Sequence, residues 1–144
     1  MCGKVEAVST SVKKGEKKIN HPEIFLKENW GVEGDGHAGL GIRQVSLLSM
    51  DSIAKITAKG VKVNPGDFAE NITVSGIDLI SLSEGTCLRL GEEVILRVTQ
   101  KGKECHDKCR IYDQAGMCVM PTDGVFAVVE KGGVIRPGNN ICIL

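Results

Sequence analysis

Cys105, His106, Cys109 and Cys118 stand within fourteen residues, so three of the chain's six cysteines and one of its three histidines share one polar segment. The run E-C-H-D-K-C-R-I-Y-D-Q-A-G-M-C admits three kinds of use. A thiolate is a nucleophile. Thiolates converging with an imidazole hold zinc or an iron–sulfur cluster, which makes Cys105, Cys109, Cys118 and His106 candidate metal ligands. Free cysteine also packs as a small hydrophobe, and Cys118 has Met117, Val119 and Met120 beside it. The C-x3-C-x8-C spacing fits no common zinc pattern, and C-x3-C is not the C-x-x-C redox pair.

Two apolar strands frame this segment, Val94 to Thr99 before it and Val125 to Glu130 after it. Upstream, Lys4 to Ser9 alternates as a half-buried strand. Ser9 to Lys18 holds five lysines or glutamates around Gly15 and reads as a solvated loop or short hairpin. Ile19 to Trp30 has no period that separates helix from strand. A glycine-rich stretch follows, with Gly31, Gly34, Gly36, Gly39 and Gly41, and a backbone this bare can approach a ligand closely. Asp35, His37 and Arg43 are its polar members. It is not a dinucleotide fingerprint, because its G-x-G-x-x-G does not stand between a strand and a helix, as that chemistry requires.

Gln44 to Ser49 reads as a buried strand. Asp51 to Lys59 reads as a short helix capped by Ser49, with Ile53 and Ile56 on one face and Gly60 as its stop. Asn64-Pro65-Gly66-Asp67 is a turn, and Ile72 to Val74 a strand entered through Glu70 and Asn71. Those two side chains would satisfy backbone groups of the turn or, alternatively, orient Arg43 or a ligand. Gly76 to Leu82 is a further strand or turn. Gly85 to Leu90 and Glu93 to Thr99 form a hairpin through Gly91-Glu92, with Cys87 expected in the core. Ile141 to Leu144 closes the chain as a strand that carries Cys142 as a structural residue. About seven to nine short strands and one clear helix predict a mainly β chain, a sandwich or barrel, and one domain over 1–144.

Composition narrows the function. Lys plus Arg and Asp plus Glu are both 18, so the formal net charge is zero, which argues against duplex DNA or an anionic membrane as partner. Aromatic residues make up 3% of the chain, too few for a stacking platform for single-stranded nucleic acid. Neither a signal peptide nor an apolar run of membrane-spanning length is visible. The expectation is a cytoplasmic protein with reduced cysteines.

Several motifs then fall in one order: G-D-G-H-A-G (34–39), R-Q-V-S-L-L-S (43–49), G-D-F-A-E-N-I-T-V-S-G (66–76), L-S-E-G-T-C-L-R-L-G (82–91), a cysteine after the strand ending Thr99-Gln100, and G-V-F-A-V-V-E-K-G-G-V-I-R-P-G (124–138). In this combination the chain resembles the MOSC domain, found at the C-terminus of molybdenum-cofactor sulfurases and as a stand-alone protein. The resemblance implies a β-barrel with one or a few short helices. It further implies a cysteine that carries sulfur or ligates the metal of a molybdenum or tungsten pterin cofactor during metal–sulfur cofactor assembly. Partners would be a cysteine-desulfurase-type sulfur donor and cofactor-biosynthesis proteins or molybdoenzymes. Some stand-alone relatives reduce N-hydroxylated compounds, an alternative activity here.

Carried over by position, the family cysteine falls on Cys105, its acid and histidine on Asp35 and His37, its arginine on Arg43, and its glutamate-asparagine pair on Glu70 and Asn71. Catalysis would rest on Cys105, His37 and Arg43, and cofactor binding on these with Asp35, Glu70 and Asn71. A free thiol with a pKa of ~8.5 is scarcely ionised at neutral pH. Lys101, Lys103, His106, Lys108 and Arg110 crowd Cys105, opposed by Glu104 and Asp107, and His37 and Arg43 would add positive charge. Cys109 would then act as a resolving thiol. Glu104 replaces the proline common before the family cysteine, and Cys109 and Cys118 are additional to the pattern. The pyridoxal-phosphate domain of the sulfurases is not visible in this chain.

Overall fold

The alternation at the start of the sequence becomes strand β1 (Cys2–Thr10). Its register against its neighbour slips between Val5 and Ala7. That slip brings Val5 and Val8, three residues apart, into the same core, which a strict period of two forbids. The computed structural model describes residues 1–13, 16–102 and 119–144, together with the backbone but not the side chain at 121. Within it follow β2 (Ile19–His21), β3 (Ile24–Lys27), β4 (Gly31–Val32), β5 (Val45–Ser49) and helix α1 (Met50–Thr57). Next come β6 (Ile72–Ser75), β7 (Cys87–Leu90), β8 (Val94–Lys101), a one-turn helix α2 (Met120–Asp123), β9 (Val125–Lys131), β10 (Gly133–Ile135) and β11 (Asn140–Ile143).

The main sheet runs β11-β7-β8-β9-β5-β6-β1-β2, and β11 also pairs with β1. Seven strands therefore close into a barrel, with β2 attached outside the ring on β1. Closure leaves fewer open edges to template aggregation. A second sheet, β10-β3-β4, lies alongside. All pairings in the ring are antiparallel except β5 with β6, and α1 makes the crossover that a parallel pair requires.

Two apolar cores result. Valine, leucine and isoleucine from every strand of the ring fill the barrel, with Leu47, Ile72, Leu88, Leu90, Leu96 and Ile141 fully buried. A second cluster joins Leu48, Phe68 and Phe126 to Ile53 and Ile56 of α1. Ser49 caps α1 as expected, its Oγ accepting from the Asp51 amide at 3.1 Å. Lys55 reaches across to Asp123 at 2.8 Å and holds α1 to α2.

Ile19 to Trp30, open between helix and strand, resolves into β2, β3 and the turn before β4, and of the two readings of Gly76 to Leu82 the turn holds. Other expectations change. Leu90 pairs with Val94, so the β7–β8 connection has Gly91, Glu92 and Glu93 in it and is not a two-residue loop. Cys87 is half-buried rather than core, because Leu88 and Leu90 take the inward phase of β7 and leave Cys87 with Arg89 on the outward one. Cys2 and Cys142 are not reduced but disulfide-bonded. The cause is register: they stand opposite one another across the β1–β11 ladder that closes the ring.

This bond joins residues 140 apart in sequence, and cross-links over long loops typically stabilise by about 2–4 kcal/mol. Adding a thiol reductant should lower the unfolding free energy by that amount in urea titrations. Cys2→Ser should match the reduced wild type and respond no further to reductant.

Candidate functional site

The glycine-rich stretch comes down just past the far end of β1, on Ser11, nine residues from the disulfide-bonded Cys2. Gly36 donates its amide to the Ser11 carbonyl at 2.7 Å. In return the Ser11 amide donates to Asp35 Oδ1 at 3.0 Å. Asp35 is thus buried rather than solvated, and a cation meets it there. Lys18 Nζ lies 2.7 Å from Asp35 Oδ1, and both side chains are fully shielded from solvent. Lys18 also donates to Ser11 Oγ at 3.1 Å and approaches His37 Nδ1 at 3.0 Å. The His37 amide donates to Asp35 Oδ2 at 3.0 Å. Burial works against the charge of Asp35, but the Lys18 and Ser11 hydrogen bonds, the Lys18 charge and the His37 amide outweigh it and hold its pKa below 3.8.

Gly66 braces this cluster from behind. Its carbonyl accepts from the Lys18 amide at 2.8 Å. Its φ of +95° and its close approach to the Lys18 carbonyl leave no room for a β-carbon. The rest of the G-D-F-A-E-N run is inward as well. Glu70 and Asn71 are fully buried. Asn71 donates to the Ser9 carbonyl at 3.1 Å and accepts from the Ser46 amide at 3.1 Å, locking β1 to β5. Glu70 accepts from the Phe68 amide at 3.2 Å and the Thr73 hydroxyl at 2.9 Å. Desolvation raises its pKa above 4.5 despite those donors.

Arg43 lines an open cleft of about 570 Å³ together with His37, residues 38–42 and Gln100. Its Nε donates to Gln100 Oε1 at 3.0 Å, and its guanidinium lies 5.6 Å from the Phe126 ring centre, a cation–π distance. Gln44, next in sequence, is buried and accepts from the Val129 amide at 3.0 Å, which fixes where Arg43 leaves the sheet. Gln100 donates onward to the Gly102 carbonyl at 2.9 Å. The end of β8, from which the cysteine segment departs, is therefore tied to the cleft. The Thr99 hydroxyl adds a bond to the Ile42 carbonyl.

The structure thus brings His37 and Arg43 to one cleft, with Asp35 beneath His37. Glu70 and Asn71 act on the backbone around it, and Arg43 engages Gln100 rather than either of them. Cys105, His106, Cys109 and Cys118 lie outside the described residues. Among the described residues no group of three His, Cys, Asp or Glu side chains converges as a metal site. Lys18, Gln44 and Gln100 were not singled out from the sequence. In the sequence Lys18 reads as one of several solvated lysines, whereas in the fold it is 4% exposed. A buried acid in the 34–39 motif requires a cation, but nothing in the sequence says which lysine supplies it.

A closed barrel with a polar cleft at the end of its strands is a fold-level class shared by many proteins, and sequence supplies the family. The MOSC domain model matches residues 34–142, and the chain belongs to that family. Among solved structures it is similar to the YuaD protein from Bacillus subtilis, at 22% identity and a TM-score of 0.82, over 98% of this chain and 94% of that one. It is similar also to YiiM from Geobacillus stearothermophilus, at 14% identity and a TM-score of 0.71, over 99% and 75% of the two chains. YiiM from Escherichia coli matches at 18% identity and a TM-score of 0.69, over 100% and 70%. At these identities the likeness speaks for the fold. No curated protein matches the sequence significantly. Among the described residues no helix is long and apolar enough to cross a membrane.

The two buried carboxylates impose opposite pH dependences. Asp35 has a lowered folded pKa, so its stabilisation is present above 3.8 and is lost as pH falls through the folded value. Glu70 has a raised one, so stability declines as pH rises from 4.5 through its folded value. Urea midpoints should therefore rise on mild acidification and then fall in stronger acid. Glu70→Gln should remove the rise. Asp35→Asn should shrink the acid loss and, by leaving Lys18 without its counter-ion, cost about 3–5 kcal/mol at neutral pH.

Proposed function

We propose that the cleft between His37 and Arg43 is where this protein handles sulfur, with Cys105 as the carrier thiolate. The observation that carries the reading is the Arg43–Gln100–Gly102 chain of hydrogen bonds, which ties the start of the cysteine segment to the cleft. Cys105 follows Gly102 by three residues in the sequence, and three residues span at most about 11 Å of chain.

In the reaction, the Cys105 thiolate attacks the terminal sulfur of a donor persulfide. The donor's S–S bond breaks, the donor leaves as a thiolate, and Cys105 retains the sulfur as a persulfide. Electrons balance without an outside oxidant. Arg43 supplies a fixed positive charge that favours thiolate over thiol. The donor would be a cysteine-desulfurase-type protein, and the acceptor an enzyme or intermediate of metal–sulfur cofactor assembly in the cytoplasm.

The same lining suits a molybdenum or tungsten pterin group. The guanidinium of Arg43 complements its anionic part, and the bare backbone at Gly39 and Gly41, where a β-carbon would meet nothing within 4 Å, leaves room for it. Cys105 would be the soft ligand to the metal. When bound, such a group would supply redox and sulfur-transfer chemistry at the metal.

Mass spectrometry after incubation with a persulfide donor tests the carrier reading. Wild type, Cys109→Ser and Cys118→Ser should each gain the mass of one sulfur atom on the peptide that contains Cys105. Cys105→Ser should gain none there. Full loading of Cys105→Ser would sink the assignment.

A further inference from the structure

The orientation of Arg43 is set by an irregularity in β8. The register of β8 against β9 slips between Val98 and Gln100, so Thr99 is the extra residue of a bulge, and bulges re-aim the side chains beside them. With Thr99 left out of the pairing, Gln100 stands opposite Phe126, whose ring lies against the Arg43 guanidinium. Thr99 secures the other side of the arrangement. Its hydroxyl donates to the carbonyl of Ile42, the residue before Arg43. The Gln100 amide is itself oriented. Its Nε2 donates to the Gly102 carbonyl at 2.9 Å, and Gly102 is tied by its own amide to the Gly124 carbonyl at 2.6 Å. Only with Nε2 turned that way does Oε1 face Arg43 as an acceptor, 3.0 Å from Nε.

A guanidinium carries five N–H donors in one plane. It grips two neighbouring acceptor atoms either through Nε with one Nη group, or through both Nη groups. Gln100 occupies Nε and removes the first edge from use. The Phe126 ring stands on one face, 5.6 Å away. Among the described residues none accepts from the two Nη groups, so the terminal edge remains for a ligand. Of the residues that line the cleft, Arg43 alone carries a fixed charge.

We propose that Gln100 is a positioning residue that makes the cleft selective for an anion with two adjacent oxygens, and that thiosulfate is a second sulfur donor to this protein. The terminal edge of Arg43 gives paired hydrogen bonds to two oxygens of a sulfonate group, an arrangement that an anion with one acceptor centre cannot match. The choice of a sulfur-bearing oxyanion rests on the function proposed above. The preference for paired oxygens does not. In the transfer, the Cys105 thiolate attacks the outer sulfur of thiosulfate, the S–S bond breaks, and sulfite leaves with the electron pair. Cys105 keeps one sulfur as a persulfide, and no outside oxidant is consumed. Arg43 meets the charge on the departing oxygens. A role for Arg43 as a bare positive charge predicts neither a geometric preference nor any need for Gln100.

Two monoanions separate these readings: methanesulfonate, which has adjacent oxygens, and chloride, which has one acceptor centre. Each is titrated into the ¹⁵N-labelled full chain at constant ionic strength, and the Arg43 side-chain signals are followed by NMR. Wild type should bind methanesulfonate about tenfold more tightly than chloride. Arg43→Lys keeps the charge without the fork and should bring the two anions to parity. Gln100→Leu keeps the fork but frees it to turn, and should lose most of the preference while the amide signals of the barrel strands stay in place. Gln100→Met serves the same purpose should leucine disturb the fold. Equal affinities in wild type would overturn the ligand class, and a full preference in a folded Gln100 variant would overturn the positioning role. With thiosulfate, wild type should release sulfite as the Cys105 peptide gains one sulfur, and Arg43→Lys should slow both. A wild type that loads Cys105 from a protein persulfide but releases no sulfite from thiosulfate would refute the second donor and leave the carrier reading intact. Failure of Cys105 to load from either source would sink the carrier reading and, with it, thiosulfate as donor, whereas the anion preference would stand.

Discussion

The buried Lys18–Asp35 pair is the constraint around which the working end of this barrel is built. Removing two charges from water costs several kcal/mol per ion, and attraction offsets that only when the remaining donors and acceptors are also satisfied. Here they are. Asp35 accepts from Lys18, the Ser11 amide and the His37 amide. Among the described residues no buried side-chain nitrogen or oxygen lacks a partner. The pair joins three pieces of chain with little apolar area of their own: the end of β1, the entry to β2 and the glycine-rich loop. Packing alone would not hold that loop, because Leu40 and Ile42 within it are 78% and 57% exposed. Polar contacts must do so.

The barrel makes such an arrangement affordable. β1 is gripped on one side by β6 and on the other by β11, and Asn71 ties it further to β5. Its C-terminal end is therefore a fixed post for the loop cluster, while its N-terminal end is fastened by the Cys2–Cys142 bond. The G-D-F-A-E-N motif reads differently in this light. The Glu70 carboxylate and the Asn71 amide are taken up by hydrogen bonds within the fold, Gly66 admits Lys18 at close range, and Ala69 holds a φ of +65° to complete the turn. Such a conformation is uncommon outside glycine and persists where the surroundings hold it in place. The motif's specificity is thus architectural: it sets where Lys18 lies, and through Lys18 the position of Asp35 and His37.

How much of this the sequence discloses depends on the kind of interaction. Strands and the α1 cap were legible because alternation and a serine before an apolar helix face are local signals. Counting strands left a sandwich or a barrel, and the family resemblance pointed to the barrel. Register was not legible. Cys2 and Cys142 meet only once β1 and β11 are aligned, and Cys87 lies on the outward face of β7 although Leu88 and Leu90 just after it suggest an apolar run. The site divides along the same line. Asp35, His37 and Arg43 stood out as polar groups among glycines, but burial inverted the meaning of Asp35. A carboxylate in a glycine-rich loop normally reads as solvated, and five charged residues between Ser9 and Ile19 carry no pattern that marks one lysine as internal. Gln100 was invisible for a related reason, since its importance lies in which two distant loops it joins.

The charges around the cleft bear on how a nearby thiol would be activated. In a Cys–His pair the imidazole takes the thiol proton and remains as a cation beside the thiolate. His37 has its Nδ1 against the Lys18 ammonium at 3.0 Å, so a cationic ring there would stand beside a second positive charge. Ionisation of a cleft cysteine would have to come from electrostatics: the guanidinium of Arg43, held in place by Gln100 and the Phe126 ring, and the run of lysines and arginine that flanks Cys105 in the sequence. Such a thiolate is favoured at equilibrium rather than generated at the moment of reaction. That suits a carrier better than a hydrolase. A carrier must hold an anionic sulfur steadily until its acceptor arrives, and the fixed charge of Arg43 favours the anion without taking or returning a proton.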